Sequence, residues 1–169
     1  MTRRSLAPGW PLSVCVFVLG YPAVFTLIAF TSGDSGMPLA QAVSSLPLMV
    51  VLATFFMFFT MGPGPALASY FIGLVIGTIY FAAFAVIEGT GSRFSNEPKP
   101  AVSAGAMLGA VLIVPAWWLH WLLAGGRESL GYGLQSLPFV ILAGVALGSA
   151  APLFTVARRH FLAQVGLHP

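Results

Sequence analysis

Charge is the scarcest property of this sequence. Seven Lys/Arg and four Asp/Glu make up 7% of its 169 residues, against roughly 25% in soluble domains. So few charges leave a globule of this size with large apolar patches facing water, and disordered or coiled-coil chains need many more. A single cysteine, Cys15, excludes an intramolecular disulfide framework and a CxxC redox pair. Basic residues are too few and too scattered to form the stripe that nucleic acid requires. The sequence also lacks a GxSxG elbow, an HExxH pair, a phosphate-cradling GxxxxGK[ST] loop and any metal-spaced His/Asp/Glu cluster. No catalytic residue, cofactor or metal is therefore expected, and an enzyme is the least favoured class.

What is abundant is apolar surface: 58% of residues are hydrophobic and the mean hydropathy is +0.94. A bilayer core of about 30 Å takes about 20 apolar residues in helix. Five runs have that length: Pro11–Thr31, Gln41–Thr60, Ala66–Ile87, Val102–Ala124 and Leu137–Ala157. They are continuously apolar and show no two-residue alternation, so helices are preferred to barrel strands. The expected fold is an all-α integral membrane protein, a bundle of about five transmembrane helices in one polytopic domain covering residues 1–169. Pro11, Pro65, Pro100 and Pro138 are expected near helix starts, where a missing N–H costs little. The first run is too long for a typical signal-peptide core and has no clear A-x-A site after it, so it reads as an uncleaved span.

Orientation is nearly balanced on this count. With the N-terminus inside, Arg3, Arg4 and Arg127 face the cytoplasm and Arg93, Lys99, Arg158 and Arg159 face away. The first helix favours N-inside, in a bacterial cytoplasmic membrane, while the even split also permits dual insertion. None of the Asp, Glu, Lys or Arg residues falls within the five spans, which weighs against an ion-coupled pathway.

Three spans carry glycines four apart: Gly73 and Gly77, Gly105 and Gly109, Gly144 and Gly148. Such pairs allow helix backbones to approach closely in lipid, where apolar burial contributes little. Pro22, Pro47 and Pro115 lie within spans, where each removes a backbone hydrogen bond and can kink its helix. Phe55, Phe56, Phe58 and Phe59 surround the second span and read as lipid contact and core. The stretches Pro22 to Ala53 and Pro115 to Ala143 share a proline, a polar turn and a Ser-Leu-Pro, an echo that would make an inverted repeat if three spans separate them.

Trp117, His120 and Trp121 share one face of the fourth span. The default reading is an aromatic belt at the headgroups; the functional alternatives are a proton carrier, a quinone contact or a haem ligand. Arg158, Arg159 and His160 read as an interfacial anchor, and Glu88, Arg93, Asn96, Glu97 and Lys99 as a solvated loop. Two function classes follow. One is an accessory, assembly or protective subunit acting through helix packing, with the bilayer, another membrane protein or a second copy of itself as partner. The other is a small carrier or channel, working as a homodimer or with an inverted-repeat arrangement.

Overall fold

The computed structural model describes residues 7–32, 62–89, 98–123 and 130–166, together with isolated helical positions at 48, 52, 53, 55, 58 and 59. Its described elements are four helices: α1 (Trp10–Ser32), α2 (Pro63–Gly89), α3 (Pro98–Leu123) and α4 (Leu130–Gln164). No strand occurs among the described residues. Segments Ala66–Glu88, Pro98–His120 and Ser136–Gln164, in α2, α3 and α4, are long and apolar enough to cross a membrane, and α1 adds the shorter apolar stretch Trp10–Thr26.

Proline and glycine set several boundaries. Gly62 takes a left-handed φ of 83° immediately before α2, a conformation that costs residues with a Cβ. Pro63 and Pro98 open α2 and α3, where a missing N–H would have had no intrahelical partner. At the far end of α4, Gly166 is left-handed at 72° and donates its N–H to the Ala163 carbonyl at 3.3 Å, a glycine stop. The expectation that Pro138 begins the last helix is corrected. α4 starts at Leu130 and carries Pro138 and Pro152 in its interior. It also runs past the expected end at residue 157. At 1.5 Å per residue its 35 residues extend about 52 Å, longer than a hydrocarbon core of about 30 Å.

Glycine positions reveal how the helices run. A methyl group on Gly73 would meet the Phe17 carbonyl oxygen at 2.6 Å, and one on Gly77 the Val14 Cα at 2.8 Å. Residue numbers rise along α2 as they fall along α1, so the two are antiparallel. In the same way Gly105 and Gly109 of α3 face Gly148 and Gly144 of α4, another antiparallel pair. Gly20 of α1 lies against Leu147 of α4, and residues 7–12 against 155–162, so those helices are antiparallel as well. The result is an up-down-up-down bundle in which α1 and α3 run the same way. Its core holds Phe17, Tyr21, Phe25, Ile76, Tyr80, Phe84, Ile113 and Val140.

Four helices stand among the described residues, against the expected five spans. Because α1 and α2 are antiparallel, the end of α1 and the start of α2 lie at one end of the bundle, whereas a single crossing by Gln41–Thr60 would put them at opposite ends. The run Gln41–Thr60, including Pro47, lies outside the described residues apart from the six isolated positions, where Ala53 is buried and Phe55, Phe58 and Phe59 are exposed. The parallel course of α1 and α3 also removes the inverted relation between the two echoing stretches.

The cations redistribute accordingly. Lys99 at the start of α3 and Arg158 and Arg159 near the end of α4 belong to the same end of the bundle as the start of α1 and the end of α2. These three are the Lys and Arg residues among the described residues, and they share one end.

Candidate functional site

The site grows from a stripe on α3. Ala101, Gly105, Gly109, Ile113, Ala116, Trp117 and His120 are its buried positions, spaced by three and four as one helical face requires. Small residues come first and, with Ile113, bring α3 against α4; Trp117 and His120 follow and meet α1. His120 is 1% exposed and Trp117 7%, so both lie inside the bundle and the headgroup-belt reading is corrected for them. Trp121 occupies the next position of α3, and its side chain lies outside the described residues.

Opposite these residues α1 places Tyr21 and Phe25, one turn apart. The His120 ring stacks on Phe25 with centroids 3.9 Å apart and planes 14° from parallel. Tyr21 lies 5.7 Å from His120, and Phe25 lies 5.5 Å from Trp117 in a tilted contact. The Tyr21 hydroxyl donates to the Ala116 carbonyl at 3.1 Å and lies 3.2 Å from His120 Nδ1. One hydroxyl carries one proton. When that proton goes to Ala116, the Nδ1–H of His120 donates to the Tyr21 oxygen and Nε2 is left as an acceptor. In the other tautomer Nδ1 accepts and Nε2–H is the free donor. Either way His120 Nε2 has no hydrogen-bond partner among the described residues, and neither has the buried Trp117 Nε1. Each is a buried polar group for which an unmade hydrogen bond is costly. Among the described residues no group of three His, Cys, Asp or Glu exists to hold a metal ion.

A second buried hydroxyl crosses the other diagonal. Tyr80 of α2 donates to the Gly148 carbonyl of α4 at 2.6 Å. That carbonyl would normally accept from the N–H four residues later, but residue 152 is a buried proline and has none. Tyr80 supplies the missing donor. A methyl group on Gly105 would lie 2.6 Å from the Tyr80 hydroxyl oxygen and 3.0 Å from Pro152 Cγ, so the glycine at 105 makes room for the contact. Neither tyrosine stands out in the sequence. Pro152 four residues after Gly148 marks the carbonyl that needs a donor, and nothing local marks the donor.

The other candidates are distributed as follows. Gly73 and Gly77 face α1, while Gly105, Gly109, Gly144 and Gly148 meet across α3 and α4. Pro22 is fully buried within α1. Pro115 is exposed on α3 and joins Phe71, Val75 and Leu112 in lining an apolar groove of about 360 Å³ between α2 and α3. Glu88 and Lys99 close α2 and open α3, whereas Arg93, Asn96 and Glu97 lie outside the described residues. Comparison with protein-family models, curated proteins and solved structures finds no match.

Proposed function

We propose that the chain is a multi-pass protein of a bacterial cytoplasmic membrane and a non-catalytic accessory or assembly subunit acting through helix packing. The observation that carries this reading is the closure of both diagonals, Tyr21 to Ala116 and Tyr80 to Gly148. Together with the α3–α4 backbone approach, these bonds fill the space along which a carrier would pass its cargo. A carrier cycle would have to break a buried hydrogen bond to a carbonyl whose helical donor is missing, a poor element to move repeatedly. What the fold offers other proteins is a shaped exterior of helices held in fixed relation.

The test is purification of the tagged protein from its native membrane in mild detergent, with the accompanying proteins identified by mass spectrometry and the same chain assayed for solute flux in liposomes. A stoichiometric membrane partner and no flux are expected. Flux that disappears in a Tyr80→Phe variant would instead establish the carrier reading.

The shared position of Lys99, Arg158 and Arg159 at one end of the bundle supports placing the start of α1 and the end of α4 on the cytoplasmic side. Reporter fusions after residue 166 and between α2 and α3 are expected to be active only in the cytoplasm, and a fusion between α3 and α4 only outside. A periplasmic signal after residue 166 would contradict this orientation and restore an odd number of crossings.

A further inference from the structure

We propose that the cation-rich end of the bundle contains a binding cleft for the phosphate of an anionic phospholipid. A cavity of about 410 Å³ opens there between the start of α1 and the last turns of α4. Its lining divides into two parts. Arg158 and Arg159 contribute charge, while Ala7, Pro11, Leu12 and Leu162 contribute apolar surface. Among the described residues no carboxylate lines the cavity.

Position gives the cleft its meaning. Arg158 and Arg159 follow the continuously apolar run that ends at residue 157, and the 29-residue segment Ser136–Gln164, about 44 Å long, exceeds a hydrocarbon core of about 30 Å, which puts the two arginines where the chain leaves hydrocarbon. Guanidinium forks at that depth match phosphate oxygens in geometry as well as charge. The first turn of α1 forms the opposite wall. The positive end of its dipole favours an anion at the same place; the Pro11 nitrogen carries no hydrogen, and the Ser13 N–H is already given to the Gly9 carbonyl at 3.0 Å. The apolar part of the lining suits the glycerol and the first acyl carbons, which inorganic phosphate lacks. Basic pockets between membrane helices on the cytoplasmic side hold acidic headgroups in this manner. The inference depends on the membrane location and not on the accessory-subunit reading, so a failed partner search leaves it intact.

The experiment uses the full-length chain in nanodiscs of phosphatidylcholine alone or doped with phosphatidylglycerol or cardiolipin, followed by release into detergent and native mass spectrometry of retained lipid. The wild type is expected to retain the acidic lipid selectively. Replacing both arginines in Arg158→Gln/Arg159→Gln is expected to weaken retention by roughly fivefold per arginine removed. The Arg158→Lys/Arg159→Lys variant keeps the charge and is expected to recover most of it, which separates ligand loss from misfolding. Lys99→Gln removes a cation at the same end outside the cleft and should leave retention unchanged. Equal retention in the glutamine variant overturns the proposal, as does an equal loss in Lys99→Gln, because the attraction would then be diffuse. Displacement of the lipid by inorganic phosphate alone would show a free-anion site and overturn the lipid assignment.

Discussion

Gly109→Leu is expected to separate α3 from α4 and to leave little folded protein in the membrane. A Cβ at Gly109 would stand 2.7 Å from the Gly148 Cα and would also collide with the Gly144 carbonyl oxygen. Both obstacles are backbone, and Gly144 and Gly148 have no side chain to swing aside. The approach is reciprocal: a Cβ at Gly148 would lie 2.8 Å from the Gly109 Cα. Leucine adds three further carbons, so the helices must move apart along their whole contact and forfeit the dispersion contacts that drive association in lipid. Overpacking a core typically costs 1–3 kcal/mol and occasionally more. With backbone on both sides, about 3 kcal/mol or more is expected here, a large share of the 5–15 kcal/mol that holds a typical domain. The control is the same change at Gly64 near the start of α2, where an added Cβ meets nothing within 4 Å. Unfolding in detergent mixtures of increasing denaturing strength reads both variants. If Gly64→Leu and Gly109→Leu are equally destabilised, the α3–α4 backbone approach is not what holds the pair.

Tyr80→Phe is expected to destabilise the bundle by about 1–2 kcal/mol, the range for a buried hydrogen bond whose loss strands its partner. The ring and its packing remain, including the tilted contact with Phe17 at 5.1 Å, so the effect isolates the hydroxyl. What makes the prediction specific is Pro152. In a Pro152→Ala background residue 152 regains its N–H and can serve the Gly148 carbonyl along the helix, so removing the Tyr80 hydroxyl should then cost less than half as much. A double-mutant cycle measures this coupling directly. An identical cost of Tyr80→Phe in both backgrounds would mean that the tyrosine does not replace the proline's missing donor.

The parts of this fold that can be read from the sequence are those set by local composition. Apolar runs between 66 and 87, 102 and 124, and 137 and 157 coincide with three long helices, because length and hydropathy are properties of each segment alone. Helix direction is different. Whether α2 runs with or against α1 depends on which carbonyl Gly73 faces, a contact between residues far apart in the chain. Counting apolar runs as crossings treats Gln41–Thr60 like its neighbours, and an apolar run by itself carries no direction. The placement of His120 was hidden for a related reason. In a membrane helix the lipid-facing and interior faces are both apolar, so the contrast that exposes a buried face in water is absent. His120 does lie in register with Gly105 and Gly109 through Ile113 and Ala116, and that register marks the interior more reliably than the neighbouring tryptophans mark a belt.

The diagonal from Tyr80 to Gly148 also has an order in time. Ribosomes deliver α2 before α4, so the Tyr80 hydroxyl is made while the carbonyl it will serve does not yet exist. Until Gly148 has been polymerised and inserted, that hydroxyl must find water at the bilayer edge or a carbonyl in its own helix. The α3–α4 hairpin, joined through residues 124–129, can zip along its glycines as soon as it leaves the translocon. Capture of Tyr80 by this hairpin is then the step that commits the earlier pair to the later one. A nascent chain truncated before residue 148 should therefore hold α1 and α2 without the latch that fixes them to the rest.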